Sequence, residues 1–488
     1  KKKWSKDEMK AMFPYFRTLH SLAYDRLDLK QAQIMNEYDY TLLSERTGNE
    51  FVNRMKKGNG VDISMPTAKS EYQDIINLSY AKYPNDEDRL DKVFRHVKIN
   101  DYGARDKIKQ MALDLSNYKT DKDKYEYVDY FIRFLEEQNP PKLKYLFVDE
   151  AQDLSAQQWE VVDMIQEKSG AEKTYIAGDD DQAIFRWAGA DIEHFIAMAK
   201  DDTNTIIPLT QSHRIPISVH TIATKLAQSI SQRIPKEYKP RPEEGIRKIL
   251  NVRPLNKGIQ EGDWLILCRT HEIVKSVCEA LEQFGWLYKR YGQSVVNLEY
   301  ITAIKGWTRL SRGEKLSGVV CQIIYKYMDS TRIKRNYGVF KGDQDDVYDL
   351  KRLITEYGLR ETVKYKTTEI NTRDATWYEM LNAKGLVKKI TYLRSLLRSG
   401  NKIDEEPRIE VSTIHASKGG ERQKVMLLAD LSYGPYKASI ENQQGRDDEA
   451  RVFYVGATRA KEELYIVQRA DPAHFNYEPI FHYERQCR

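Results

Sequence analysis

The sequence predicts an α/β fold with parallel sheets, and three observations lead to that prediction. Short, continuous apolar runs are each bounded by turn residues or charges, as strands buried on both faces of a sheet are. Helix-like patterns, such as 155–168 and 272–285, separate the runs. One run ends directly in two carboxylates, Asp149 and Glu150, and ligands of open α/β sheets bind beyond the carboxyl ends of the strands.

Seven runs are strand candidates, and they are taken in chain order. They are LKYLFVD (143–149), TYIAGD (174–179), TIIPLT (205–210), DWLILCR (263–269), RIEVSTIH (408–415), KVMLLAD (424–430) and ELYIVQ (463–468). Residues 25–124 and 301–399 lack such runs and are polar, charged and mostly helix-like, which indicates helical insertions into the α/β domains. The three prolines of PKEYKPRPEEG (235–245) predict a linker between two α/β blocks.

Composition sets the limits of the interpretation. The chain has 488 residues, which is enough for two to four domains, with 41% hydrophobic and 31% charged residues. No apolar run approaches the roughly 20 residues of a membrane span, and no signal-peptide pattern opens the chain. The four cysteines are scattered without a CxxC pair, so a reducing, cytoplasmic compartment is expected. A net charge of +5 permits a local nucleic-acid groove without requiring one.

The acids of LFVDEAQD carry the first functional hypothesis. An Asp at the end of a parallel strand can hold Mg²⁺, usually through water, and a neighbouring Glu can orient or deprotonate an attacking water. Asp149 and Glu150 stand in those positions. The alternative interpretation is a strand that leaves the core and enters a solvated loop.

The next strand candidate leads into a second set of polar and aromatic residues. TYIAGDDDQAIFRWAGA (174–190) ends in acids and then offers Gln182, and a glutamine near a γ-phosphate can sense or polarise it. Phe185 and Trp187 follow at alternating spacing and are candidates for stacking on bases. Core aromatics in a loop are the competing interpretation.

Two arginines are candidates for stabilising charge on a transferring phosphoryl group. LTQSHRIP (209–216) places Arg214 after a strand candidate, and EARVFYVGATRAKEELYIV (449–467) places Arg459 on a predicted helix. A surface or salt-bridge role is the commoner fate of an arginine.

A further stretch combines a strand, a histidine and a glycine turn. In VSTIHASKGGERQKVMLL (411–428), two glycines let the backbone approach a ligand, and Thr413, His415 and Lys418 are candidates for gripping a phosphate backbone. YFRTLHSLAY (15–24) offers a similar pair, Thr18 and His20. A lone histidine is usually structural, which is the alternative for each of these two.

Six stretches, in their order along the chain, resemble the motifs of superfamily 1 helicases of the UvrD/Rep type. The resemblance spans residues 15–467 and is specific because the motifs share order and spacing. They are TLHS (single-strand contact), VDEAQD (the Walker B motif), GDDDQAIFRWAGA (linking γ-phosphate to base stacking), LTQSHR (an arginine finger), and STIHASKGGE and YVGATRA of the second motor domain.

The resemblance implies two RecA-like, P-loop NTPase-type motor domains, each with a mainly helical insertion. It further implies that Asp149 and Glu150 serve Mg²⁺, with Glu150 also activating water. The implied domain boundaries are 1–24 with 125–240 for the first motor domain, incomplete at its N-terminus, 25–124 for its insertion, 241–300 with 400–488 for the second, and 301–399 for its insertion.

The remaining roles are implied by the same resemblance. Gln182, Arg214 and Arg459 would surround the γ-phosphate of ATP, and Glu421 would lie near the ribose. The residues that would contact single-stranded DNA are Thr18, His20, Phe185, Trp187, Thr413, His415 and Lys418. The implied activity is ATP-driven translocation, 3′-to-5′ on single strands or at single/double-strand junctions. The implied setting is replication or repair, with partner proteins of those processes, in the cytoplasm of a bacterium or a phage-infected host.

The phosphate-cradling GxxGxGKT loop of the family is not found in the sequence. GNGVD (58–62) has neither the lysine nor a strand–helix context. A fragment or processed form, a second polypeptide carrying the loop, or a degenerate protein would each explain this. Because the downstream catalytic residues are intact, truncation or splitting is favoured. The alternative function is an ATPase-deficient, single-stranded DNA-binding or scaffold protein.

Overall fold

The computed structural model describes residues 5, 8, 11–53, 71–251, 253, 255, 258–259, 261–365, 368–381, 390–398, 406–469 and 471–481. The GNGVD stretch at 58–62 lies outside the described residues. The helices are α1 Leu19–Arg26, α2 Glu37–Thr47, α3 Glu71–Lys82, α4 Arg89–His96, α5 Tyr102–Lys122, α6 Tyr127–Glu137, α7 Ala156–Ser169, α8 Ile192–Lys200, α9 Ile217–Gln228, α10 His271–Phe284, α11 Leu298–Ser311, α12 Gly318–Tyr327, α13 Leu350–Glu356, α14 Trp377–Met380, α15 Ile390–Arg398, α16 Tyr433–Glu441 and α17 Gln443–Ala457.

The strands are shorter and concentrate in the second half of the chain. They are β1 Tyr145–Val148, β2 Lys173–Ile176, β3 Ile246–Leu250, β4 Trp264–Cys268, β5 Tyr288–Arg290, β6 Gln293–Ser294, β7 Leu316–Ser317, β8 Val347–Tyr348, β9 Thr362–Tyr365, β10 Thr368–Asn371, β11 Ile409–Thr413, β12 Arg422–Leu428, β13 Asp430–Leu431, β14 Ala460–Val467 and β15 Phe475–Asn476.

The chain divides into two units. Unit 1 contains residues 1–210, 227–238 and 442–454, and unit 2 contains residues 211–226, 239–441 and 455–488. The division at 238/239 falls within the proline-rich segment 235–245, which in the structure is irregular apart from an isolated bridge between Lys239 and Gln211. Within the described part of the chain, no helix has both the length and the apolar content that a bilayer crossing requires.

Unit 1 carries a parallel pair of strands, β1 and β2, joined by α7. Tyr145 pairs with Lys173 and Val148 with Ile176, so the two strands end at the same edge. Helix α7 begins at a capping box, in which the Ser155 hydroxyl accepts from the backbone of Gln158. The predicted strands at 143–149 and 174–179 and the predicted helix at 155–168 are therefore confirmed.

The two faces of this strand pair differ in burial. Val148 packs in one cluster with Trp159 of α7, whereas Tyr145, Phe147 and Tyr175 project from the other face. The Phe147 ring is 71% exposed and stacks on Tyr175, with 4.8 Å between ring centroids. Parallel sheets are normally covered on both faces, so this face is atypical.

The prediction of a strand at 205–210 is wrong. The segment forms neither helix nor strand, and its apolar side chains face solvent, with Ile207 73% and Leu209 89% exposed. A strand needs a neighbour to pair its backbone groups, and among the described residues this segment has no such ladder. The apolar pattern of this segment therefore does not correspond to a strand in a sheet.

Helices α2 to α5 form a separate helical region of unit 1. Its core consists mainly of apolar side chains from these helices, including Leu43, Ile76, Phe94, Ile108 and Met111. Helix α2 starts at an Asn36 capping box and ends at Gly48, which adopts a left-handed conformation with φ 70°. The helix-like composition of residues 25–124 is reflected in these elements.

Unit 2 is built on a seven-stranded, mainly parallel sheet. Its strand order is β3–β14–β12–β4–β11–β5–β6, and only β6 runs antiparallel to its neighbour. All five residues of β4 are buried, as its continuous apolar sequence predicts. The strand predictions at 263–269, 408–415, 424–430 and 463–468 and the helix prediction at 272–285 are confirmed.

Two features of unit 2 differ from expectation. Strand β3 was missed because its sequence, IRKIL, interrupts a short apolar run with two adjacent charged residues, Arg247 and Lys248, at the outer edge of the sheet. The region 301–399 is not simply helical: the short antiparallel pairs β7–β8 and β9–β10 lie among its helices. Strands of two to four residues carry too little pattern for recognition from sequence.

Candidate functional site

The carboxyl ends of β1 and β2 bring the acidic residues of unit 1 together. Beyond the strands, Ala177 donates to the Val148 carbonyl at 2.8 Å and Ala151 donates to the Ala177 carbonyl at 3.0 Å. These bonds hold the loop after β1 against the loop after β2. Asp149 and Glu150 are both exposed there, and Asp149 Oδ1 accepts from the Glu150 backbone at 2.9 Å.

Glu150 is held in an unusual backbone conformation. Its φ of 53° lies in the left-handed region, which is costly for a residue with a Cβ. Its Oε2 accepts a hydrogen bond from Gln152 Nε2 at 2.6 Å. Such outliers often occur at functional sites, where the surrounding structure stabilises them.

The loop after β2 presents Gln182 on a short 3₁₀ turn. Gln182 Nε2 donates to Asp179 Oδ2 at 2.7 Å, and Asp179 Oδ1 caps the turn by accepting from Asp181 at 3.2 Å. The structure therefore places Gln182, Asp149 and Glu150 at the ends of adjacent strands, as expected for parallel strands that share an edge.

Three consecutive aspartates, Asp179 to Asp181, form a compact carboxylate cluster. Their oxygens lie within 4.8 Å of one another, a spacing that suits a cation. Lys236 supplies that cation: its Nζ lies 2.9 Å from Asp179, 3.0 Å from Asp181 and in direct contact with Asp180. Burial opposes the charge of Lys236, but the three carboxylates raise its pKa above the ordinary value on balance.

The aromatic candidates Phe185 and Trp187 follow Gln182 directly. Both rings are half-buried and tilted at 57° to each other, with 6.5 Å between centroids. Arg186 stands between them and pairs with Glu193 of α8. The two rings are therefore accessible at a fixed mutual angle, which suits stacking on unpaired bases.

Thr18 and His20 lie at the start of α1. The Thr18 hydroxyl caps this helix by accepting from the Ser21 backbone at 3.2 Å. The His20 ring packs on Phe131, with 4.0 Å between centroids, and on Tyr127. Burial lowers the pKa of His20 to about 4, so the imidazole is neutral at pH 7. His20 thus offers a ring and one hydrogen-bond donor rather than a charge.

In unit 2, three of the predicted residues converge on one turn. Arg214 Nε donates to Glu421 Oε2 at 3.0 Å, and Arg459 Nη1 donates to the neighbouring Gly420 carbonyl at 3.3 Å. Lys461 Nζ donates to the other Glu421 oxygen at 2.9 Å. This bond from Lys461, aided by the charges of Lys461 and Arg214, holds the pKa of Glu421 below its ordinary value.

The predicted helical position of Arg459 is wrong. Helix α17 ends at Ala457, and Arg459 lies in the two-residue turn before β14. Its guanidinium is almost fully buried and donates to the Val455 carbonyl at 2.9 Å and the Thr458 hydroxyl at 3.2 Å. Sequence reasoning also missed Lys461, although its i+2 spacing from Arg459 at the start of a strand was a usable signal.

Thr413, His415 and Lys418 lie together where β11 leads into a turn. Thr413 is buried and its Oγ1 accepts from the Ala416 backbone at 3.2 Å, while the His415 and Lys418 side chains are half-buried. Gly419 has φ 80°, and this left-handed conformation turns the chain back toward β12. The turn therefore requires the glycine that the sequence places there.

The sequence matches a family model described as the UvrD-like helicase C-terminal domain over residues 70–470, which is more than half of the chain. The chain belongs to this family. The motif resemblance to superfamily 1 helicases of the UvrD/Rep type is thereby confirmed.

Curated relatives of this UvrD-like chain are distant in sequence. It is 25% identical over 411 residues to the ATP-dependent DNA helicase Rep of Buchnera aphidicola subsp. Schizaphis graminum (strain Sg), covering 67% of this chain and 62% of the relative. It is 24% identical over 412 residues to the ATP-dependent DNA helicase PcrA of Bacillus subtilis (strain 168), covering 67% and 54%. The chain thus spans less than two thirds of the length of these relatives.

Proposed function

We propose that this chain is the body of an ATP-dependent DNA helicase or translocase that moves on single-stranded DNA. The observation that carries the proposal is the hydrogen-bonded group of Glu150 and Gln182 at the ends of two parallel strands, in a UvrD-like chain. The relatives are named ATP-dependent DNA helicases, which supports ATP use and a DNA substrate. Two RecA-like domains and 3′-to-5′ polarity belong to the proposal through the family resemblance.

The proposed hydrolytic residues lie in unit 1. Asp149 and Glu150 present exposed carboxylate oxygens, the hard donors that Mg²⁺ prefers, so the residues fit this ion. When bound, Mg²⁺ would neutralise phosphate charge. Glu150 would accept the proton of the attacking water, and the Gln182 amide, now bonded to Asp179, would contact the γ-phosphate.

The proposed nucleotide contacts in unit 2 differ in availability. The pair between Arg214 and Glu421 is partly exposed, and such pairs contribute only about 0–1 kcal/mol, so Arg214 is readily released toward a phosphate. Glu421 would then be available to the ribose. Arg459 is buried and bonded to three oxygens, so its proposed phosphate contact requires the turn before β14 to rearrange.

The proposed single-strand path uses aromatic stacking and phosphate contacts. Phe185 and Trp187 would stack on bases, and Lys418 and His415 would contact the strand's backbone from the turn after β11. The proposed contacts to the strand also include Thr413, Thr18 and His20. Because His20 is neutral, its part is stacking or one hydrogen bond, not charge neutralisation.

The strand pair of unit 1 supports a further element of the proposal. We propose that a segment carrying the phosphate-binding loop completes this sheet, supplied by the full-length protein or by a partner chain. The exposed aromatic face of Phe147 and Tyr175 and the exposed apolar segment 205–210 are what an uncovered α/β sheet presents. Among the described residues of unit 1 this sheet has two strands, and most sheets have more.

The test is ATP hydrolysis with and without single-stranded DNA, on this chain and on a form extended upstream through the full gene. We expect DNA-stimulated hydrolysis in the extended form, abolished by Glu150→Gln with DNA binding retained. The exposed Glu167 of α7 provides a matched control, Glu167→Gln, which should keep wild-type turnover. DNA binding without hydrolysis in both forms would instead establish a binding or scaffold protein.

A further inference from the structure

Gln152 is a buried amide that connects the two strand ends. Its side chain is 1% exposed, and it lies two residues after Glu150 in the 3₁₀ turn Ala151–Asp153. Nε2 donates to Glu150 Oε2 at 2.6 Å, while Oε1 accepts from the Asp179 backbone at 2.9 Å. One side chain therefore contacts the proposed base and the loop after the neighbouring strand.

The connection continues from Asp179 to Gln182. The Asp179 carboxylate accepts from Gln182 Nε2 at 2.7 Å and is held by the Lys236 ammonium at 2.9 Å. A continuous hydrogen-bonded path thus runs from Glu150 through Gln152 and Asp179 to Gln182. It joins the residue proposed to activate water to the residue proposed to contact the γ-phosphate.

The packing around Gln152 closes one side of its amide. A Cβ added at Gly178 would lie 2.7 Å from Gln152 Oε1 and 2.8 Å from the Phe195 ring, so the site is closed on that side. The path also needs both a donor and an acceptor at this side chain, and an amide provides both. A glutamate here would keep the acceptor and lose the donor.

We infer that Gln152 is a positioning residue of the proposed hydrolytic site. It orients the Glu150 carboxylate on its left-handed backbone and transmits the position of Gln182 to it through Asp179. This role rests on the proposed function, because it has meaning only if Glu150 activates water. It adds a residue that none of the assigned roles above includes.

The test separates the two hydrogen bonds of Gln152 in the full-gene protein. Gln152→Glu keeps an acceptor for the Asp179 amide but replaces the donor with a carboxylate facing Glu150, whereas Gln152→Leu removes both bonds. Gln166, exposed on α7, gives matched controls, Gln166→Glu and Gln166→Leu. The readouts are kcat and KM for ATP, and amide hydrogen exchange at Asp179.

We expect Gln152→Glu to lower kcat about tenfold or more, with KM within about twofold and the Asp179 amide as protected as in the wild type. We expect Gln152→Leu to lower kcat similarly and to speed exchange at Asp179. The Gln166 controls should match the wild type in every readout. A purely structural role would instead alter exchange and KM without a selective loss of kcat.

The outcomes distinguish this role from the proposed function. Wild-type kcat in Gln152→Glu, alongside an inactive Glu150→Gln, would overturn the positioning role and leave the hydrolytic site intact. Turnover unaffected by Glu150→Gln would overturn the proposed base and the role of Gln152 with it. Unchanged exchange at Asp179 in Gln152→Leu would refute the hydrogen-bonded path even if no variant hydrolysed ATP.

Discussion

The Arg451 Nε donates a hydrogen bond to the backbone carbonyl of Asp180 at 3.0 Å, across 271 residues of sequence. The guanidinium is 1% exposed and also donates to the Gln232 carbonyl. Arg451 thereby ties α17 and the segment before residue 238 to the loop that bears the aspartate cluster. Three distant stretches of the chain meet at one buried side chain in unit 1.

Replacing Arg451 by methionine should destabilise unit 1 by about 2–4 kcal/mol, because the buried Asp180 carbonyl and the partly buried Gln232 carbonyl lose their donor. The measurement is urea unfolding followed by fluorescence. Arg446→Met, on the exposed side of the same helix, should change stability by less than about 0.5 kcal/mol. Equal effects of the two substitutions would mean that the buried bonds of Arg451 do not contribute.

The lowered pKa of His20 predicts a specific pH dependence of stability. In the unfolded chain His20 takes up a proton near pH 6.5, its ordinary pKa. In the folded chain burial lowers the pKa, so the proton is taken up only near pH 4. The free energy of unfolding should therefore fall as pH drops from about 6.5 to 4. His20→Gln should remove this contribution, and NMR titration of the imidazole should show a midpoint below 5.

A suitable control for His20 is the exposed His213. His213→Gln should keep the wild-type pH profile of unfolding. An imidazole titrating near 6.5 at position 20 would show that the packing on Phe131 does not exclude water from the ring.

Trp187→Ala should weaken binding of single-stranded DNA by about 1–3 kcal/mol, because one stacking surface is lost. The measurement is fluorescence anisotropy of a labelled oligonucleotide at fixed salt, since salt alone changes the affinity. Tyr38, exposed on α2, provides the control Tyr38→Ala, which should bind as the wild type does. Equal affinity of both variants would remove Trp187 from the proposed strand path.

The exposed ring of Phe147 predicts self-association of this chain in isolation, because the face of β1 and β2 is apolar and uncovered. Phe147→Lys should reduce association in sedimentation experiments and alter stability by about 1 kcal/mol or less, the worth of its stack on Tyr175. Phe284→Lys, at an exposed position in unit 2, should leave association unchanged. Undiminished association of Phe147→Lys would show that another surface is responsible.

Much of the fold was predictable wherever local pattern and tertiary context agree. Strand β4 is apolar throughout and lies inside the sheet of unit 2, so its sequence and environment give the same answer. Helix α7 is marked by the Ser155 capping box and an apolar face that includes Trp159 and Val162. Local rules of capping and periodicity suffice for such elements.

The failures have physical causes. Residues 205–210 read as a strand, but pattern cannot supply the neighbour that a strand must pair with. Arg459 was interpreted as helical because the apolar run of Val452 to Val455 ends only four residues before it, and the local stop signal Gly456 lies inside α17 rather than after its end. Gln152 went unnoticed because its importance lies in a bond to Asp179, 27 residues away, which no local rule reveals.

The interleaving of the two units also constrains how the chain is made. Unit 1 draws on residues 442–454, so a ribosome must synthesise most of unit 2 before Arg451 can reach Asp180. Until then the aspartate loop has Lys236 and Arg233, but the Asp180 carbonyl lacks its donor from Arg451. Completion of the proposed hydrolytic half is thus delayed until the 271 residues that separate Asp180 from Arg451 have been made, roughly 10–60 s at about 5–20 residues per second.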